Sequence, residues 1–250
     1  MLAKELARLM RIEHSAMLAI AVLAAELIAK GIPPVQIFLL SLATPVLVSM
    51  EAFAINDYFD VEVDRANGMK RPLVEGTVTK RQAVYAAVLS TCAGISASAF
   101  INLYALSIAI AFALLAFLYA YKLKEKLFWG NAYIALAMVI PFIYGNYVVS
   151  NTLATSIGLI SAMIFLAGLA REIHGTIRDL QGDITVRNAR TIPKVIGKKA
   201  ASFLALVLYI LAIGISIYLS VYVRPFSMNL FFIVPVAVTD ILLIYCGIGY

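Results

Sequence analysis

Cysteine and charge are both scarce in this 250-residue chain. The two cysteines, Cys92 and Cys246, fall inside apolar segments, which excludes a disulfide framework and zinc-ligand spacing. Both are expected to be small buried hydrophobes. Charged residues make up 14% of the chain, against roughly 25% in an ordinary soluble protein. Hydrophobic residues make up 63%, and the mean hydropathy is +0.94. A soluble globular domain is thereby excluded. No low-complexity tract is present, and Met1–Glu13 is too charged for a cleaved signal peptide.

What is abundant is spanning-length apolar sequence. Eight runs qualify, at 14–30, 35–55, 82–101, 103–121, 131–149, 153–170, 200–220 and 228–247. Glu26 and Lys30 interrupt the end of the first. Ahead of it, Leu2, Leu6, Leu9 and Met10 form a stripe that predicts a short interfacial helix. The expected fold is an all-α polytopic membrane bundle, one transmembrane domain over residues 1–250.

Basic residues orient it. Lys4, Arg8 and Arg11 precede the first span, and Arg65, Lys70, Arg71, Lys80 and Arg81 follow the second. Lys122, Lys124 and Lys126 follow the fourth. Arg171, Arg178, Arg187, Arg190, Lys194, Lys198 and Lys199 follow the sixth. Only Lys30 and Arg224 fall on the other side, so these links are expected to be cytoplasmic in a multi-pass cell-membrane protein. The formal charge of +6 is then a topology signal and calls for no nucleic acid.

Two acidic clusters sit on these inner links, at 56–81 and 171–199. The first is Asn56-Asp57-Tyr58-Phe59-Asp60-Val61-Glu62-Val63-Asp64, and the second is Asp179-Leu180-Gln181-Gly182-Asp183. On a continued helix, Asp57, Asp60 and Asp64 fall within a sector of about 60°, with Glu62 pointing elsewhere. Glu172, Thr176, Asp179 and Asp183 likewise share a face, with Arg171, His174 and Arg178 on another. Like charges this close repel, and a hard cation such as Mg²⁺ removes the repulsion. Lys70 and Arg71 beside the acids add what is needed to grip a diphosphate. A solvated helix end is the bland alternative for the acids, and internal Arg–Asp pairing for Arg171 and Arg178. The clusters recur at the second span of each successive group of four. This predicts two parallel four-helix repeats around a central cavity. Glu51 and Asp240, carboxylates within apolar runs, are expected either to line a cavity or to pair with another helix. His14 is expected to be structural.

Asn56-Asp57-x-x-Asp60-x-x-x-Asp64, followed by Arg71-Pro72-Leu73 and Gly76, closely resembles the first signature of the UbiA superfamily of intramembrane prenyltransferases. Arg178-Asp179-Leu180-Gln181-Gly182-Asp183 is similar to its second, and Arg190-Thr191-Ile192-Pro193 to the usual sequel. Arg171-Glu172-x-x-Gly175-x-x-Arg178-Asp179 looks most like archaeal members, which include digeranylgeranylglyceryl phosphate synthases. The resemblance covers residues 5–247. Members typically carry nine spans where eight are legible here. The family's Tyr-x-x-x-Lys element is displaced, leaving Lys122 or Lys124 as the diphosphate contact.

The resemblance implies a Mg²⁺-dependent transfer of a prenyl group from an isoprenyl diphosphate, geranylgeranyl diphosphate in first place. Asp57, Asp60, Asp64, Asp179 and Asp183 would be the catalytic metal ligands. Asn56, Lys70, Arg71, Lys122, Lys124, Arg171 and Arg178 would bind substrate. The expected acceptor is geranylgeranylglyceryl phosphate, in archaeal ether-lipid synthesis. An aromatic acceptor of the 4-hydroxybenzoate type, as in quinone synthesis, is the alternative, and a divalent-cation transporter is a remote one.

Overall fold

The computed structural model describes residues 2–126, 128–178 and 191–248. Among them the elements are α1 (Leu2–Leu9), α2 (Ile12–Ala29), α3 (Val35–Ala66), α4 (Pro72–Glu75), α5 (Lys80–Ala99) and α6 (Leu103–Tyr121). A 3₁₀ turn over Leu123–Glu125 leads to α7 (Trp129–Val149), α8 (Thr155–Arg178), α9 (Ile192–Ile196), α10 (Lys198–Tyr222) and α11 (Leu230–Ile248). Eight of these helices are long and apolar enough to cross a membrane, in the order expected from the apolar runs. Two compact units result. One holds the chain up to Leu123 together with Ile140–Thr152, and the other holds Lys124–Val139 and the chain from Leu153 onward. They match the two expected halves except that the second part of α7 belongs to the first unit.

The first unit is organised on α3. Its 32 residues make a rod of about 48 Å, longer than a hydrocarbon core of about 30 Å. The helix therefore runs on through the acidic cluster and carries it beyond the apolar stretch. Asn67 and Gly68 end it: Gly68 adopts φ 65°, and the Asn67 and Met69 amides close on the carbonyls of Val63 and Asp64. Arg71 is then extended, as a residue before proline should be, and Pro72 opens α4 at N1. Gly76 at φ 74° closes that short helix. Thr79 and Gln82 form a capping box that starts α5, with Thr79 N–H donating to Gln82 Oε1 at 2.9 Å.

Small residues set how closely these helices approach. Helix α5 turns Ala83, Ala87, Ser90, Gly94 and Ser98 inward, and α6 turns in Ala105, Ala109, Ala113, Ala116 and Ala120. In lipid, packing rather than hydrophobic collapse joins helices, and small side chains permit it. A Cβ at Gly94 would stand 2.9 Å from Val48 Cγ2 of α3. Near the acidic end, Leu9 of α1 is fully buried with Ala54, Val61 and Leu73. The α1 stripe thus packs partly on protein, with Leu6 beside Leu9, while Leu2 stays exposed.

In the second unit α8 lies along α10, burying Leu169, Ala170, Ile173 and Ile177 against Ala201, Ala205 and Tyr209. Helix α11 packs on α10, where Asp240 accepts a hydrogen bond from the Ser216 hydroxyl. That settles Asp240 as a helix-pairing group. Both cysteines are exposed, contrary to expectation. The apolar environment of a spanning helix includes lipid, so a hydrophobic side chain there need not point inward.

Among the described glycines the tightest approach is at Gly145 of α7, where a Cβ would lie 2.7 Å from the Val22 carbonyl oxygen and 2.8 Å from Ala25 Cβ. Gly145→Ala is expected to destabilise the protein by about 1–3 kcal/mol, because backbone must move to admit the methyl. Gly214→Ala, which meets nothing within 4 Å, should be neutral or slightly stabilising. Thermal unfolding in detergent compares the two, and equal midpoints would contradict the packing described.

Candidate functional site

Asp57 is the most deeply placed acid of the first cluster. It projects from α3 with only 2% of its side chain exposed, and Asp60, three residues on, is 6% exposed. Asp64 is half-buried, and Glu62 is exposed and held by Arg65 at 2.6 Å, on another side of the helix as its spacing requires. Among the described residues no three His, Cys, Asp or Glu side chains gather closely enough to cage a metal by themselves.

A buried carboxylate stays ionised only beside a counter-charge. Arg11 supplies it: Nη2 donates to Asp57 Oδ1 at 2.7 Å. Arg11 occupies the junction of α1 and α2 in a left-handed conformation, φ 47° and ψ 56°. Its carbonyl accepts the His14 and Ser15 amides that begin α2. Its guanidinium lies 4.7 Å from the centre of the Phe53 ring. Phe53 stands one turn before Asp57 on α3, so one helix face offers both the ring and the acid. His14, itself exposed, meets the same ring edge-on, with centroids 6.3 Å apart.

The α1 end of this arrangement is tied to the turn that carries Arg71. Arg8 pairs with Glu5 at 2.6 Å and with Glu75 at 3.2 Å, and Thr77 donates to Glu5. Such exposed pairs add little stability singly, but they accompany the burial of Leu9. Arg71 and Asp64 both lie near enough to act electrostatically on Asp57. Three polar atoms in this region are buried with no hydrogen-bond partner, Arg11 Nε, Asp57 Oδ2 and Arg71 Nε. Orphaned groups of this kind call for an explanation, and a ligand is the simplest.

The remaining predicted residues are spread more widely. In the first unit Asn56 is half-buried, Lys70 is exposed beyond α3, and Lys122 is exposed with Nζ 5.4 Å from the Tyr121 ring. In the second unit Lys124 is half-buried in the 3₁₀ turn. Arg171 is exposed and bonded to Glu172 at 2.6 Å, and Arg178 is exposed at the end of α8. His174 parts from the two arginines: it is buried, with its ring 5.6 Å from that of Tyr209. Asp179 and Asp183, like Arg187 and Arg190, lie outside the described residues.

Glu51 takes the cavity-lining option. It is 6% exposed and lines a groove of 530 Å³ with Ile55, Tyr58, Val88, Thr91 and Phe117. Six residues separate it from Asp57, which places the two acids about 120° apart around α3. The groove is therefore on a different side of the helix from Asp57. Glu26 is fully buried in α2, its carboxylate oxygens without a partner.

Arg11 is the residue that sequence reasoning passed over, counting it only as an orientation charge. Its partner is 46 residues away, and no local pattern announces such a pairing. The one available signal was a cation immediately before a spanning helix, which also fits an ordinary anchor.

The chain can now be set beside known proteins. Residues 17–247 match the UbiA prenyltransferase family model. A digeranylgeranylglyceryl phosphate synthase of Archaeoglobus fulgidus is 36% identical over 211 residues, 84% of this chain and 72% of that protein. Two Pyrococcus relatives of the same name are matched over 65% and 62% of their own length. A solved structure from work on digeranylgeranylglyceryl phosphate synthase in membranes superposes with TM-score 0.83 at 28% identity, covering 98% of this chain and 86% of that one. A UbiA homologue of A. fulgidus, bound to DMAPP and Mg²⁺, shares the fold at TM-score 0.74 and 18% identity, over 98% and 85% of the chains.

Asp57→Asn removes the counter-charge of Arg11 and should lower stability by about 1–3 kcal/mol. That is less than the roughly 3–5 of a fully buried pair, because Arg11 keeps 21% exposure. Asp64→Asn, at a half-buried position, should shift the thermal midpoint far less. Equal losses in the two variants would contradict the Arg11–Asp57 pairing.

Proposed function

The chain belongs to the UbiA prenyltransferase family, and on that premise we propose that it transfers a prenyl group from an isoprenyl diphosphate to a lipid acceptor. Geranylgeranyl diphosphate is the donor and geranylgeranylglyceryl phosphate the acceptor, in archaeal ether-lipid synthesis. The observation that carries the reading is the Asp57 carboxylate. It is buried at the boundary end of a spanning helix, one oxygen held by Arg11 and the other open. The names of the relatives at 31–36% identity support the choice of acceptor.

The residues present fit Mg²⁺. This ion is usually held by one or two carboxylates, with substrate phosphate oxygens and water completing an octahedron. A protein cage of three acids is therefore not required. Asp57 would offer its open Oδ2, with Asp60 and Asp64 on the same helix face and Asn56 beside them. Asp179 and Asp183 carry the same chemistry in the second signature. When bound, the ion draws charge from the departing diphosphate.

Arg71 and Lys70 sit on the turn next to the acids and neutralise diphosphate oxygens as the allylic C–O bond breaks. Fixed positive groups aimed at developing negative charge favour the transition state over the ground state. The electron pair of that bond stays with the diphosphate, and the acceptor hydroxyl oxygen attacks the carbocation-like carbon and releases its proton. The surrounding apolar helices keep water from competing with the acceptor. A prenyl chain needs an apolar medium along its length, which accounts for catalysis at the membrane. On this reading the acidic motifs face the cytoplasm, which the excess of basic residues on the same links supports.

Purified protein with geranylgeranyl diphosphate should alkylate geranylgeranylglyceryl phosphate, with turnover lost on chelation and restored by Mg²⁺. Asp57→Ala should reduce turnover by about 100-fold or more. Transfer to 4-hydroxybenzoate alone would overturn the acceptor. Divalent-cation flux into proteoliposomes without any prenyl transfer would overturn the enzyme class.

A further inference from the structure

Arg11 holds the same carboxylate that the prenyl-transfer reading assigns to the metal. Its Nη2 is 2.7 Å from Asp57 Oδ1, its guanidinium rests on Phe53 at 4.7 Å, and its Nε is buried without an acceptor. Asp57 Oδ2 is buried and open. One oxygen of the carboxylate is thus paired with a fixed positive charge while the other has no partner. We propose that Arg11 is a positioning residue that makes cation binding at Asp57 conditional on diphosphate. This rests on the reading of Asp57 as a metal ligand.

The argument is electrostatic. A divalent cation reaching Oδ2 alone meets a guanidinium already spending the carboxylate's charge, so it is held weakly. A cation arriving with diphosphate is part of a net anion, and the same guanidinium now attracts it. Arg11 also has donors to give, its idle Nε among them, in a planar fork that suits phosphate oxygens. The Phe53 ring and the turn between α1 and α2 keep the group in place in both states. One positive charge therefore opposes the bare ion and favours the ion with substrate. That is a coupling between two ligands, and it is reciprocal. Lysine at this position would keep the charge but lose the fork and the stacking.

The test measures Mn²⁺ binding to the purified full chain by electron paramagnetic resonance, with and without inorganic pyrophosphate, corrected for their complex in solution. Wild type, Arg11→Gln and Arg11→Lys are compared, with thermal unfolding recorded for each. In wild type, pyrophosphate should tighten Mn²⁺ binding. In Arg11→Gln, Mn²⁺ alone should bind about threefold more tightly, and the enhancement by pyrophosphate should fall about tenfold. Arg11→Lys should retain most of the enhancement, so the proposal remains testable if the glutamine variant folds poorly. A merely structural role would weaken both affinities together; that result, or an unchanged enhancement in Arg11→Gln, overturns the proposal. Loss of the enhancement in Arg11→Lys as well would overturn the assignment to charge. If Asp57→Asn leaves Mn²⁺ binding unchanged, the metal-ligand reading fails first and the coupling fails with it.

Discussion

A carboxylate almost without exposure, at the end of an apolar helix, stays ionised only beside a counter-charge. Asp57 and Arg11 meet that requirement across 2.7 Å, and much of the first unit is arranged so that they can. Removing either partner leaves a buried charge unmatched, which is far less favourable than never having placed one there. The pair is thus a constraint on the fold and, on the proposed reading, the place where the cation and diphosphate meet.

The surrounding elements serve that placement. Helix α3 outruns the bilayer and delivers its acids past the apolar stretch. Small residues on α5 and α6 allow close packing around it. The turn at Gly68, the extended Arg71 and the α4 start at Pro72 bring a second guanidinium toward Asp57. Helix α1, clamped through Arg8, Glu5 and Glu75, fixes the junction from which Arg11 reaches in. In the first unit the placement of Asp57 and Arg11 therefore rests on packed helices and the short turns between them.

Much of this was legible in the residues. Spanning helices are readable because lipid imposes one length and one composition on all of them, and each expected run appears as a helix. Helical continuation through Asp57, Asp60 and Asp64 was readable from their spacing, as was the outward direction of Glu62. Four features were not. Arg11 pairs over 46 residues, and single-sequence patterns carry no such contact. Cys92 and Cys246 face outward because apolar character does not distinguish lipid from core. Glu51 lines a groove away from Asp57, a consequence of which neighbours α3 meets and not of its own sequence. His174, grouped by helical phase with Arg171 and Arg178, is buried beside Tyr209 because α10 covers that part of α8.

The central claim is that Asp57 binds a divalent cation together with the diphosphate of an isoprenyl donor. A crystal structure with Mn²⁺ and a non-cleavable prenyl thiodiphosphate tests it most directly through anomalous scattering. The account predicts an anomalous peak within about 2.0–2.3 Å of Asp57 Oδ2, bridged to diphosphate oxygens. A bound diphosphate with no metal at Asp57, its charge met by arginine and lysine alone, would contradict it.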